Sequence, residues 1–199
     1  MTKTRINPLQ SFSNRLYTFT LNLAHRMNFH SLRYSIKYIR DNYDGKDLIG
    51  AEIGIRYGGH SLTILKHLPM KRLYLIDPQQ GYDGIDGYHR RGFKEIRKGL
   101  KRNLNAYSDK LVFIRKMSEN AVDDIPDNMD FIYIDGNHDY EYVKKDVDMY
   151  YPKIKKGGVL CGHDFQLPDV ARAVSELATK HDLKVYADGY LVDWWVVKK

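Results

Sequence analysis

Apolar residues in this chain fall into short runs of strand length, separated by stretches in which they recur every three or four positions. The runs lie at 48–53, 72–76, 111–114, 129–134 and 159–162, and they read as strands. Between the first two, Ser61 opens a helical run through Leu62, Ile64, Leu65 and Leu68 that Pro69 stops. Helices are also predicted over 89–107, with the stripe Phe93, Ile96, Leu100 and Leu104, and over 140–151 and 169–180. Further strands are expected at 183–187 and 193–197. Five short strands alternating with helices predict a parallel sheet wound on both faces. Ligands of such sheets bind outside the carboxyl ends of the strands. Polar residues gather at those ends here: Glu52, Asp77, Ser118, Asp135, His138, His163 and Asp164.

Ahead of the first strand, Phe12, Leu16, Phe19, Leu23 and Met27 repeat with helical spacing, and Phe29, Leu32, Ile36 and Ile39 continue it. Charge changes how this segment reads. The chain has 32 basic and 25 acidic residues, a net charge of +7. Lys3, Arg5, Arg15, Arg26, Arg33, Lys37 and Arg40 equal the whole excess, and residues 1–40 contain no acid. The expected organisation is a basic helical extension over 1–40 and one α/β domain over 41–199. A charge-balanced body argues against a nucleic-acid partner. The extension is read as packing on the domain or on a second copy in a homo-oligomer. The alternative is a basic amphipathic surface in peripheral contact with an anionic membrane. One cysteine, Cys161, and the lack of a membrane-length apolar run or a secretory leader point to a reducing, cytoplasmic setting.

Residues 48–61 hold the most informative chemistry. A strand, a glycine-rich turn and a helix start form a cradle that a ligand can approach along the main chain. Glu52 within it would oppose a pyrophosphate but suit a cationic amino group. The spacing Glu52-x-Gly54-x-x-x-Gly58 also differs from the Gly-x-Gly-x-x-Gly of dinucleotide binders. Asp77, at the tip of the second strand and followed by Pro78, is placed to accept hydrogen bonds from a ribose diol; a plain turn acid is the alternative. Residues 79–88 carry three glycines and no apolar period, which makes them a loop and a candidate lid or substrate wall. The basic residues of 89–107 are read as a solvated face.

Glu52-x-Gly54-x-x-x-Gly58, Asp77-Pro78, Phe-Ile-Tyr-Ile-Asp-Gly-Asn-His-Asp-Tyr at 131–140 and Gly-Gly-Val-Leu-Cys-Gly-His-Asp at 157–164 occur in that order. Together they resemble the class I S-adenosylmethionine-dependent methyltransferases, in the subgroup with Ile-Asp-Gly-x-His-x-Tyr and Gly-Gly-x-Leu-x-Gly-His-Asp motifs. The resemblance implies a Rossmann-like, doubly wound, seven-stranded sheet with its last strand antiparallel and helices on both faces. It implies that Glu52 faces the methionine ammonium of the donor, that Gly54, Ile55, Arg56 and Gly58 supply the turn, and that Ser61 binds the methionine carboxylate. Asp77, with Pro78, would hold the ribose, Met117 and Ser118 the adenine, and Asp135 would lie near the methionine and the reacting centre.

For a hydroxyl acceptor, His138 is the best candidate base, with Asp135 and His163 beside it; a helix-capping His138 is the alternative. Asp135, His163 and Asp164 match the metal ligands of several related O-methyltransferases. A divalent ion (Mg²⁺, Mn²⁺ or similar) there would lower the pKa of the hydroxyl. The expected activity is O-methylation of a small-molecule or glycan hydroxyl. An NAD(P)-dependent oxidoreductase and a catalytically inactive methyltransferase-like binding subunit are the rival readings.

Overall fold

The protein is described by a computed structural model covering residues 32–43, 47–79, 93–188 and 193–199. The helices expected before residue 32 and the loop beyond Gln79 lie outside the described residues. A compact unit runs from Leu32 to Lys199, so the helix anticipated around Ile36 and Ile39 falls inside it.

The described elements are α1 (Tyr34–Asn42), β1 (Leu48–Ile53), α2 (Gly59–His67), β2 (Met70–Ile76), α3 (Phe93–Leu104), β3 (Leu111–Ile114), β4 (Met129–Ile134), α4 (Tyr140–Tyr150), β5 (Ile154–Gly162), α5 (Pro168–Lys180), β6 (Tyr186–Ala187) and β7 (Trp194–Val197). One sheet holds all seven strands in the order β3-β2-β1-β4-β5-β7-β6. The pairs β1–β2, β1–β4, β2–β3 and β4–β5 are parallel, while β7 runs antiparallel to both β5 and β6. This is a doubly wound, Rossmann-like seven-stranded sheet, with the antiparallel strand where the resemblance places it.

Strand alternation explains the two-sided core. On β4, Phe131 and Tyr133 join Ile36, Ile39, Ile64, Leu100 and Leu104 on the side of α1, α2 and α3. Ile132 and Ile134 join Val143, Val147, Val170, Val174 and Leu177 on the side of α4 and α5. Every residue of β4 is buried, as a central strand covered on both faces requires. Several boundaries move outward from the sequence reading. β5 begins at Ile154 and passes through Gly157, whose φ of +78° lets the strand continue past the glycine pair. α2 starts at Gly59 after a left-handed Gly58, so Ser61 lies inside the helix and does not open it. Ser118 begins a 3-10 turn whose cap position is Met117, and it makes no capping hydrogen bond. Among the described residues, no helix is long and apolar enough to cross a membrane.

Candidate functional site

The carboxyl ends of β1, β2, β4 and β5 converge on one edge of the sheet. Gly54 follows β1 with φ +83°, and a Cβ there would lie 2.0 Å from the Asp135 carbonyl oxygen. The β1 turn and the β4 tip are therefore in backbone contact, which only glycine permits. Asp77 organises the turn from β2. Its Oδ2 accepts the amides of Ile55 and Arg56, both at 3.1 Å, and its Oδ1 accepts the Gln79 amide at 2.7 Å. Arg56, Gln79 and Asp164 hold φ of 43°, 49° and 60° at the ends of β1, β2 and β5. For arginine and glutamine this region is sterically disfavoured, and such strain gathers where a binding surface fixes the main chain. Pro78 follows Asp77 half-buried, and β3 delivers Met117 and Ser118 beyond its own tip, next to β2.

Glu52 is 1% exposed and is engaged from within the fold. Ser61 Oγ donates to its Oε2, and His60 Nδ1 lies 3.1 Å from its Oε1. His60 packs on the Tyr133 ring with centroids 4.1 Å apart, and its buried Nε2 has no protein partner. In this structure Glu52 and Ser61 serve each other, with His60 as the third member. Nothing in the motif marks His60 beyond its place in the glycine turn.

At the β4 and β5 ends, Asp135, His138, His163 and Asp164 come together as expected. His138 Nε2 lies 2.9 Å from Asp164 Oδ2 and 3.7 Å from Asp135 Oδ1, an ion-pair contact with the first and a looser one with the second. Placed between Asp135 and Asp164, its imidazole has its pKa pushed up to about 10. His163 Nδ1 lies 3.1 Å from Asp164 Oδ2. The His163 main chain is pinned by its amide to Ile134 O and by the Trp194 indole donating to its carbonyl. Burial works against the charge of Asp164, but His138, His163 and Gln166 outweigh it and hold its pKa far below the usual carboxylate range.

Asp135, His138 and Asp164 offer ligand atoms within 4.8 Å of one another. This set takes His138 where the sequence reading took His163. Two carboxylates and an imidazole suit a borderline divalent ion such as Mn²⁺, Fe²⁺ or Zn²⁺.

Behind the cluster sits a buried network that the motifs did not announce. Arg33 Nη1 donates to the Tyr133 hydroxyl and, at 3.2 Å, to Asp135 Oδ2. Tyr133 donates to Asp193 Oδ1 at 2.6 Å, and Asp193 Oδ2 accepts the Ser35 amide at 2.8 Å. Burial of Arg33 opposes its charge, yet Tyr133, Asp135 and Asp193 outweigh it and raise its pKa. Burial likewise pushes up the pKa of Asp135, but His138 and Arg33 reverse it, and the carboxyl is held below its ordinary value.

A family model described as "Methyltransferase domain" matches residues 51–165, more than half of the chain. A protein of Acanthamoeba polyphaga mimivirus is 27% identical over 161 residues, 75% of this chain and 67% of that one. Among solved structures, a candidate caffeoyl-CoA O-methyltransferase from Staphylococcus aureus superposes with a TM-score of 0.64 at 13% identity, covering 97% of this chain and 100% of its own. The O-methyltransferase NovP gives 0.60 at 20% identity, covering 83% of this chain and 79% of its own. A TDP-rhamnose 3′-O-methyltransferase of calicheamicin biosynthesis gives 0.56 at 15% identity, covering 98% and 96%.

Proposed function

The chain belongs to the methyltransferase-domain family, whose methyl donor is S-adenosylmethionine, and on that premise we propose that it methylates a hydroxyl of a small-molecule or glycan acceptor. The observation that carries this reading is the pairing of His163 Nδ1 with Asp164 Oδ2 at 3.1 Å, at the tip of β5 and beside Asp135. An amine can attack a sulfonium with its own free electron pair, whereas a hydroxyl must also lose a proton as its oxygen bonds to carbon. A carboxylate that holds Nδ1–H leaves Nε2 of the same ring as the proton acceptor.

In the proposed step, the acceptor oxygen attacks the donor methyl in line with the sulfur. The C–O bond forms as the C–S bond breaks, and the electron pair stays on sulfur as S-adenosylhomocysteine. The hydroxyl proton passes to His163 Nε2. Alignment in a water-poor site supplies much of the acceleration, because the reaction needs no covalent help from the protein. Asp77 Oδ1 keeps acceptor capacity for a ribose hydroxyl beyond its bond to Gln79. Asp135, His138 and Asp164 would hold a divalent cation, which when bound lowers the pKa of the acceptor hydroxyl. His138 is a cationic partner of the two carboxylates in the absence of that ion, so the base role moves to His163. The sugar-modifying neighbour supports a glycan hydroxyl among the acceptors to be tried.

The test has two stages. Thermal shift with S-adenosylhomocysteine, NAD⁺ and NADP⁺ should show stabilisation by the first alone. Methyl-labelled S-adenosylmethionine is then offered to a panel of nucleotide sugars, polyphenols and amines. Label is expected on hydroxyls, with His163→Gln about 10²- to 10⁴-fold slower. Label confined to amines, or an unchanged rate in the variant, would overturn the proposal.

A further inference from the structure

Resting on the donor site proposed above, we infer that Arg33 is its positioning residue: a charge anchored by Tyr133 and Asp193 that holds Asp135 by one oxygen and tempers the pull of that carboxylate on the donor's sulfonium. The anchoring is unusually complete. Arg33 is the N-cap residue of α1, and its own side chain makes no cap. Asp193, fully buried, fastens the first turn of α1 through the Ser35 amide and the guanidinium through the Tyr133 hydroxyl. The guanidinium also lies 5.2 Å from the centroid of the Tyr133 ring. It therefore cannot swing away without breaking several contacts at once.

A buried Asp193–Tyr133–Arg33 group needs no fourth member to balance its charge. The guanidinium nonetheless reaches forward to Asp135, which is partly exposed and abuts the Gly54 turn. Its planar fork of donors fixes one carboxylate oxygen and leaves Oδ1 facing His138.

The consequence is electrostatic. S-adenosylmethionine and its product differ by one methyl group and one positive charge at sulfur. That charge falls in the transition state as the methyl leaves. A bare carboxylate beside sulfur would stabilise the ground state more than the transition state, which slows transfer. Arg33 offsets part of that carboxylate's field through its contact with Asp135 Oδ2, while His138 faces Oδ1.

The readout is the ratio of dissociation constants for S-adenosylhomocysteine and S-adenosylmethionine, measured by calorimetry on the full chain as purified. A merely structural role would weaken both ligands alike. Arg33→Gln is expected to shift the ratio about three- to tenfold in favour of the sulfonium, the scale of one partly buried charge acting across several ångströms. Asp135→Asn alone is expected to move the ratio the opposite way, against the sulfonium, because the fields of the carboxylate and the guanidinium oppose each other at sulfur. Where Arg33→Gln alone does not fold, Arg33→Gln/Asp193→Asn removes the buried anion together with its cation and is expected to show a smaller shift of the same sign. An unchanged ratio in Arg33→Gln, or an Asp135→Asn shift in the same direction as that of Arg33→Gln, overturns the inference. Failure of the native chain to bind either ligand overturns the donor-site reading beneath it.

Discussion

The Asp77 carboxylate and the Arg56 amide are joined across the tips of β2 and β1 at 3.1 Å, and Arg56 holds a left-handed backbone there. Asp77 is thus part of the turn's architecture as well as the proposed ribose ligand. Asp77→Ala orphans the amides of Ile55, Arg56 and Gln79, so it should lower unfolding stability by about 2–3 kcal/mol. S-adenosylhomocysteine affinity should fall about 100-fold, and Asp77→Asn, which keeps an acceptor, should do less on both counts. Urea unfolding and calorimetry separate the two effects. Lowered stability with unchanged affinity would remove Asp77 from the donor site.

Gly54→Ala places a methyl group 2.0 Å from the Asp135 carbonyl oxygen at a φ of +83°. Neither contact can relax without parting the tips of β1 and β4. The expected cost is about 3 kcal/mol or more, with loss of donor binding in whatever fraction still folds. A thermal melt within a degree or two of the native value would contradict this packing.

Asp146 gives a pH-dependent prediction away from the acceptor cluster. It is buried on α4 and hydrogen-bonded with Ser118, and burial pushes its pKa up to about 6. A carboxyl whose folded pKa is raised is more stable in the fold when protonated. Its contribution is therefore fully present below about pH 4 and is lost as pH rises through about 6. Asp146→Asn should stabilise the chain by about 1–3 kcal/mol at pH 7.5 and by nothing at pH 4. Melting curves at the two pH values decide it; a gain of equal size at both would assign the effect to packing.

The Asp135, His138 and Asp164 cluster is expected to take Mn²⁺. A free concentration 100 times the dissociation constant should raise unfolding stability by about 2.7 kcal/mol. Asp164→Asn should abolish the gain, and EDTA should reverse it in the native chain. A shift that persists in Asp164→Asn would place the ion elsewhere.

Sequence reading reached the sheet because its central strands are apolar runs that differ sharply from their flanks, as at 129–134. The positions of Glu52, Asp77, Asp135 and Asp164 near strand ends are legible too, because such acids are easy to place once the strands are known. Sequence reading did not reach Arg33, Tyr133 and Asp193 as a group. They lie 100 and 60 positions apart, joined only by the sheet register and the docking of α1. Tyr133 reads as one more apolar strand residue, and Arg33 as one charge of a basic extension. The roles of the two histidines are equally invisible in a motif, since they depend on which imidazole nitrogen meets which carboxylate. Ser61 and Ser118 carry a simpler lesson. A serine near a helix start suggests a cap, but here tertiary partners, Glu52 and Asp146, take the hydroxyl instead.

The Asp193–Ser35 bond ties the first helix of the compact unit to the start of its last strand, so the usable edge of the unit is set by chemistry and not by charge counting. A shortened chain beginning at residue 41, where the run of basic residues stops, would strip Asp193 of its amide and Asp135 of its guanidinium. One beginning at residue 32 would keep both. Nine residues at the front of the compact unit thus separate a version with its carboxylates balanced from one in which Asp193 keeps only the Tyr133 hydroxyl and Asp135 only His138.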